Sequence, residues 1–407
     1  MATESSNLLP FDEARARLLA QVRPLSFERI PLSEGAGRVV AVDLVAPSPL
    51  PPFDNSAMDG YALATSGLPP SGPWTLPVAG ESSAGGVVPT LAPQTACRIF
   101  TGAPVPAGAD AVVMQEHVTR EQGAIRGEGR PRPGQNIRRA GEDLAHGALA
   151  IAAGTRLSAG GLALAAMMGG SELVVARRPR VTIVCTGDEL RAPGDAPRPG
   201  SIPESNSGAL GSLARQAGAI VRVAPIARDE PGATLRAIES ALDGTDVLLT
   251  VGGVSVGDHD VVRPALEKAG VKLDFWRVAI KPGKPLAVGR SPSAHVLGLP
   301  GNPASALVTF ALFGMPLLRA LQGDARPLPM PLPVRTASAR KRAPERLELA
   351  RATLHVDAGV LSARFHDNQS SGAATSLAQS DGVAFLPPGP GEIPAGTTVD
   401  FVRWSDA

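Results

Sequence analysis

The segment Thr250-Val251-Gly252-Gly253-Val254-Ser255-Val256-Gly257-Asp258-His259-Asp260 carries the densest chemistry in the chain. It follows the apolar run Asp246-Val247-Leu248-Leu249, which reads as a strand. Glycines let backbone N–H groups approach a phosphate closely, and successive N–H groups can form a concave anion site. The carboxylates behind them can hold a divalent cation against that phosphate. The plain alternative is a strand-to-helix turn whose glycines only permit the bend. Further carboxylates, in Thr186-Gly187-Asp188-Glu189 and at Asp229, also follow strand-like runs. Converging carboxylates repel one another, and a shared cation is the usual remedy. Oxygen ligands without a matching His/Cys set favour Mg2+ over zinc. For Asp229, just before Glu230-Pro231, helix capping and metal chemistry are both open.

A cationic turn, Lys281-Pro282-Gly283-Lys284-Pro285, holds two ammonium groups on a stiffened backbone, as an oxyanion site requires. Read alone, it is also compatible with a solvated hairpin tip. Leu299-Pro300-Gly301-Asn302-Pro303-Ala304-Ser305 follows closely and opens a helix, with Asn302 as N-cap and Pro303 at the first helical position. Helix N-termini attract anions. Upstream, Pro52-Phe53-Asp54-Asn55-Ser56-Ala57-Met58-Asp59-Gly60-Tyr61 and Thr101-Gly102-Ala103-Pro104-Val105-Pro106 are turn-rich and could be plain loops. His117, His146, His295 and His355 have no triad-like neighbours and read as structural or exposed.

These residues need a scaffold, and 407 residues are too many for one core. A hydrophobic content of 43% supports folded domains, and 45 glycines with 40 prolines stay below the range of a wholly disordered chain. A net charge of +1 provides no global field for nucleic acid or an anionic membrane. Two distant cysteines, Cys97 and Cys185, argue against a zinc site or disulfide framework and fit a reducing cytosol. Cys185, inside an apolar run, reads as a buried thiol. The N-terminus lacks the pattern of a secretory signal, and no run reads as apolar and long enough to span a bilayer. A soluble, cytoplasmic protein is expected.

Phe11 to Val22 reads as a helix with Ala14, Leu18, Leu19 and Val22 at helical spacing. Pro47, Pro49, Pro51 and Pro52 then force an extended crossing, and short β-like stretches run from Ser56 to Arg139. Gly147 to Met168 returns to a partly helical pattern, so the first and third pieces are expected to form one discontinuous domain around an insertion. Over 179–323, apolar runs Val181–Cys185, Ile220–Ile226, Val247–Val251 and His295–Leu299 alternate with helical patterns. That alternation implies a mostly parallel sheet, helices on both faces, and ligands at the strands' carboxyl ends. Beyond Pro327-Leu328-Pro329 the chain reads as a compact all-β module.

Taken in order, the two upstream motifs, Gly141-Glu142-Asp143, Thr186–Leu190, Ser205-Asn206-Ser207, Gly252–Gly257, Lys281–Pro285 and Pro300–Pro303 resemble the MoeA family. These are the molybdopterin molybdenumtransferases, whose eukaryotic relatives include the gephyrin E domain. The resemblance runs from about Phe11 to Phe401. It implies a multidomain α/β plus β fold: a discontinuous elongated linker domain (1–50 and 141–178), an inserted β-rich domain (51–140), a MogA-like three-layer α/β molybdopterin-binding domain (179–325) and a C-terminal β-barrel-like domain (326–407).

The implied reaction inserts molybdate into adenylylated molybdopterin with Mg2+-dependent release of AMP, in a homodimer. A MogA-type adenylyltransferase and molybdoenzyme maturation proteins are the implied partners. Asp59, Thr101, Asp143, Glu189, Asp229 and Asp260 match the family's catalytic positions, the last three also the metal's. Ser207, Gly252, Gly253, Ser255, Gly257, Arg277, Lys281, Lys284, Pro285, Ser305, Arg351 and Ser371 match substrate-binding positions. Two departures stand out. Arg277 follows Phe275-Trp276 where the family often has lysine, and Gln369-Ser370-Ser371-Gly372 replaces a Gln-Gly-Ser-Gly stretch. Competing readings are an adenylyltransferase, a non-enzymatic scaffold and a tungstate-preferring enzyme.

Overall fold

A computed structural model describes residues 8–253 and 261–406. At its centre is a six-stranded sheet in the order Ile220–Val223, Arg180–Cys185, Val247–Val251, His295–Leu299, Ala287–Arg290, Lys272–Trp276. The first four strands run parallel. Ala287–Arg290 alone is reversed, antiparallel to both His295–Leu299 and the edge strand Lys272–Trp276, because only a short turn joins Arg290 to His295 and a short turn cannot make a parallel crossover. Side chains alternate between two cores. Val181, Ile183, Cys185, Leu249 and Leu297 face the helix Asn206–Gln216 and the helical run 303–321. Val184, Leu248 and Val296 face the helices Pro231–Leu242 and Val262–Lys268. Burial on both faces explains why these strands are continuously apolar in sequence.

The helical run comprises Pro303–Thr309, a π-helical turn Phe310–Gly314, and Met315–Leu321. A Cβ on Gly314 would stand 2.1 Å from Phe310 Cδ2, so glycine makes room for that ring. The expectation that no segment is apolar enough to cross a membrane needs correction. This run of 19 residues, with mean hydropathy 1.7, meets that length and composition, but 83% of its apolar window is buried as the core helix.

The first helix, Phe11–Ala20, also departs from expectation. Phe11, Ala14 and Leu18 join the α/β core rather than the elongated unit, and Phe11 meets Phe313 and Phe385 edge-on at 5.3 and 5.7 Å. The elongated unit starts instead at Phe27–Pro31, which pairs with Glu172–Ala176. Leu44–Val45 pairs with Leu149–Ile151, and Ile30, Val40, Leu157, Leu173 and Val175 form a separate small core. Between these pieces a second six-stranded sheet, built from strands between Gly60 and Glu128, has its own cores. At the C-terminus, strands Leu347–Asp357, Val360–Phe365, Leu332–Thr336, Thr398–Arg403 and Gly382–Leu386 close into a barrel, the last pairing back on the first. Closure leaves no unpaired edge. The short strand Ile280–Lys281 joins Leu347 and Glu348, tying the cationic turn to the barrel.

Candidate active site

Register places Cys185 beside Val251 and Val251 beside Leu299, so three loops leave the sheet at one level. Thr186 N donates to Val251 O at 3.0 Å and Gly252 N to Leu299 O at 3.2 Å, which locks the loop starts together. Gly252 has φ +97° and Gly253 φ +61°. A Cβ on Gly252 would lie 2.7 Å from Thr186 O, and one on Gly253 2.4 Å from Val262 Cγ2. These glycines therefore serve both the turn and the close approach of neighbouring loops. The loops border a cleft of about 380 Å³ that Glu189, Asn206, Asp229, Pro285 and Asn302 also line. Buried Thr186 Oγ1 and Asn206 Oδ1 have no partner among the described residues, an arrangement that a polar ligand would satisfy.

The capping alternative for Asp229 is removed. The helix Pro231–Leu242 has Glu230 at its N-cap position and no side-chain cap. Lost hydration pushes the Asp229 carboxyl above the usual carboxylate range. The Asp188 N–H opposes that rise, while the charges of Glu189 and Asp188 add to it. Glu189 folds back over Gly187, where a Cβ would stand 2.7 Å from Oε2. This crowding is the kind a cation relieves. Among the described residues, no three His, Cys, Asp or Glu side chains are grouped to hold a metal. Asp260, the third expected ligand, lies outside the described residues, as do Ser255 and Gly257.

Glu204 was missed in the sequence. Its buried carboxylate accepts from Asn206 N at 2.6 Å, Ser207 N at 2.9 Å and the Ser207 hydroxyl, tying down the start of the helix Asn206–Gln216. Ser207, expected to bind substrate, thus spends its hydroxyl proton on Glu204. Asn206 Nδ2 reaches across to Gly301 O at 2.8 Å. The available signal was an acid directly before a helix start, where the macrodipole favours negative charge. Cys185 Sγ donates to Glu204 at 3.4 Å. Burial, followed by that neighbouring charge, pushes its thiol far up, as expected of an inert cysteine.

The barrel touches the helix start that lines the cleft. Asn302 Nδ2 does not cap its own helix but donates to Ser371 Oγ at 3.0 Å, and Ala304 N donates to Ser371 O at 3.1 Å. Ser371 therefore reaches the helix start despite the altered stretch around it. Arg351, expected as a direct oxyanion donor, is fully buried beneath this loop. Its guanidinium donates to Ser376 Oγ, Ser370 O and Asn368 O, so it braces the loop rather than opening on the cleft. Ser305 is likewise buried, on the inner side of its helix. Pro285 lines the cleft, Lys284 is half-buried beside it, and Lys281 is exposed with its Nζ 3.9 Å from Glu348 Oε2. Arg277 adopts φ +81° and stacks on Trp276 at 4.3 Å.

Asp59 Oδ1 accepts from Thr101 N and Thr101 Oγ1, both at 2.7 Å. Those bonds, the backbone one first, hold its carboxyl below the usual range. Asp59, Thr101 and Asp143 are exposed, and none of them lines the strand-end cleft of their own chain.

The same segments are matched by family descriptions along the chain: the MoeA N-terminal region (domain I and II) over residues 9–169, a probable molybdopterin binding domain over 182–320, and the MoeA C-terminal region (domain IV) over 333–404. A molybdopterin molybdenumtransferase of Haemophilus influenzae is 42% identical over 320 residues, 78% of each chain. The chain belongs to the MoeA family. A molybdopterin molybdenumtransferase 2 of Mycobacterium tuberculosis is 38% identical over 94% of this chain and 95% of its own. A crystal structure of the molybdopterin biosynthesis MoeA protein of Pyrococcus horikoshii OT3 superposes with a TM-score of 0.85 at 28% identity, covering 98% of this chain and all of that one. The MoeA-type architecture expected from the motifs, with its central α/β domain, inserted β domain and C-terminal barrel, is the one observed.

Proposed function

We propose that this MoeA-family chain acts in molybdenum cofactor biosynthesis, inserting molybdenum from molybdate into adenylylated molybdopterin and releasing AMP. The flush register of Cys185, Val251 and Leu299 carries the reading, because it gathers glycine loops, crowded carboxylates and a helix start around one cleft. Glu189 and Asp229, with Asp260, would hold Mg2+; bound there, it would supply charge neutralisation at the phosphoanhydride. Gly252 and Gly253 let the loop starts close up against Thr186 and Val262, and Thr186 Oγ1 and Asn206 Oδ1 offer the substrate polar atoms that have no partner among the described residues. Lys284 precedes Pro285 and Ser371 accepts from Asn302, two lining residues of the cleft where molybdate would arrive as substrate, and Lys281 extends the cationic turn.

The proposal includes a cytoplasmic homodimer. Asp59, Thr101 and Asp143 stand outside the cleft of their own chain, and facing a partner's cleft would give them access to substrate. Exposed Phe27, Val45, Leu149 and Met167 on the elongated unit provide apolar surface for such a contact. A MogA-type adenylyltransferase would supply the substrate, and molybdoenzyme maturation proteins would receive the product. The test is anaerobic incubation of purified protein with adenylylated molybdopterin, Mg2+ and molybdate or tungstate. Stoichiometric AMP with metal on the dithiolene is expected. ATP-dependent adenylylation without metal insertion would overturn the reading.

A further inference from the structure

A second strongly charged cavity, of about 420 Å³, lies on the barrel side of the cationic turn. Lys281, Arg340, Lys341, Arg342, Arg346 and Glu348 line it. One wall is the short strand Arg340–Lys341, pinned to Glu392–Ile393, and the other is the Lys281/Glu348 pairing. Glu348 is the one carboxylate among the described lining residues, and it is already engaged. Arg340 Nη2 donates to its Oε1 at 2.6 Å, and Lys281 Nζ stands 3.9 Å from its Oε2. Five cationic side chains therefore share a single buried carboxylate.

Arg340 Nε and Arg342 Nε are buried and have no acceptor among the described residues. A buried donor left unpaired is costly, and more so on a charged group. An oxyanion would supply the missing acceptors, and guanidinium forks match its geometry. No aromatic ring lines the cavity among the described residues, so nothing there would stack on a nucleobase. The space exceeds several times the roughly 30 Å³ share of one water, leaving room for an ion with part of its hydration shell.

We propose that this cavity binds a tetrahedral dianionic oxyanion, of the molybdate, sulfate or phosphate class, at a site separate from the strand-end cleft. The turn 281–285 connects the two places, with Lys281 at the cavity and Pro285 at the cleft.

The test is calorimetric titration of the whole protein with molybdate, sulfate and phosphate separately, and it requires no molybdopterin. Its outcome therefore does not depend on the proposed reaction. Arg342→Gln/Arg346→Gln should weaken oxyanion binding at least tenfold, whereas Arg120→Gln, an exposed arginine on the inserted β domain, should leave this binding intact. Arg342 packs over Gly389, so Arg346→Glu is a second variant that spares that packing and should weaken binding to the same degree. Preference for molybdate would identify a substrate-collecting site, and equal binding of all three a general oxyanion site. Unchanged binding in both arginine variants would overturn the proposal. So would an equal loss of binding in Arg120→Gln, or no saturable binding of any of the three ions.

Discussion

Replacing Glu204 tests whether the cleft depends on a buried charge that makes no direct claim on substrate. The carboxylate accepts two backbone N–H groups and a hydroxyl at the start of an eleven-residue helix. Hydrogen bonds to a charged group contribute about 1.5–3 kcal/mol each, and a charge at a helix N-terminus roughly 0.3–1 kcal/mol more. These contributions are not additive, because one side chain makes them all. Glu204→Ala strands the Asn206 and Ser207 donors together and should cost about 3–5 kcal/mol. Glu204→Gln keeps an acceptor oxygen for both N–H groups, and the Ser207 hydroxyl can turn to accept from the amide. It should cost only about 1 kcal/mol. Urea unfolding of the two variants gives the comparison, and AMP release by the folded fraction reports on Asn206, whose amide bridges to Gly301. Both variants should turn over more slowly, alanine more so. An alanine variant losing under about 1 kcal/mol, or a glutamine variant as unstable as alanine, would refute the reasoning.

Buried His295 is held near pKa 4 by lost hydration and then by the Arg290 charge, with Asp246 opposing. A depressed folded pKa means that its stability is complete above the ordinary 6.5 and is lost as pH falls through 4, by about 3 kcal/mol. Comparing urea stability at pH 7 and pH 4 should show this loss in the native chain and a flatter profile in His295→Gln. Asp229→Asn should slow AMP release by roughly a hundredfold, since a ligand for the cation is lost. Because the carboxyl is raised in the fold, its favourable contribution exists at low pH and is lost as pH rises. The amide should therefore not lower the melting temperature at pH 7, and a large drop there would contradict the assignment. Lys284→Ala should raise the KM for molybdate by about tenfold with little change in melting temperature, since the half-buried Lys284 keeps contact with solvent and such cations contribute little to folding.

Much of the fold was legible because the parallel strands are buried on both faces and announce themselves as continuous apolar runs. Val181–Cys185, Val247–Val251 and His295–Leu299 were read almost residue for residue, and their glycine-rich exits pointed to the cleft. The reversal of Ala287–Arg290 was not foreseen, since strand direction depends on the length of the connecting turn. Helix Phe11–Ala20 showed its apolar face but not its partner, a question of long-range packing. Arg351 could be matched to a family position, yet its burial follows from the loop 368–371 folding over it. Glu204 was hidden because an acid before a helix looks the same whether it is solvated or holds a buried network.

The central claim is that Asp59 and Thr101 complete a cleft carried by another copy of the chain, and subunit mixing tests it most directly. Asp59→Asn and Asp229→Asn should each be nearly inactive alone. After equal mixing and free exchange, about half the dimers are mixed, each with one intact site. If the two sites act independently, about a quarter of wild-type AMP release should return. No recovery, with subunit exchange demonstrated, would contradict a composite site of independent halves.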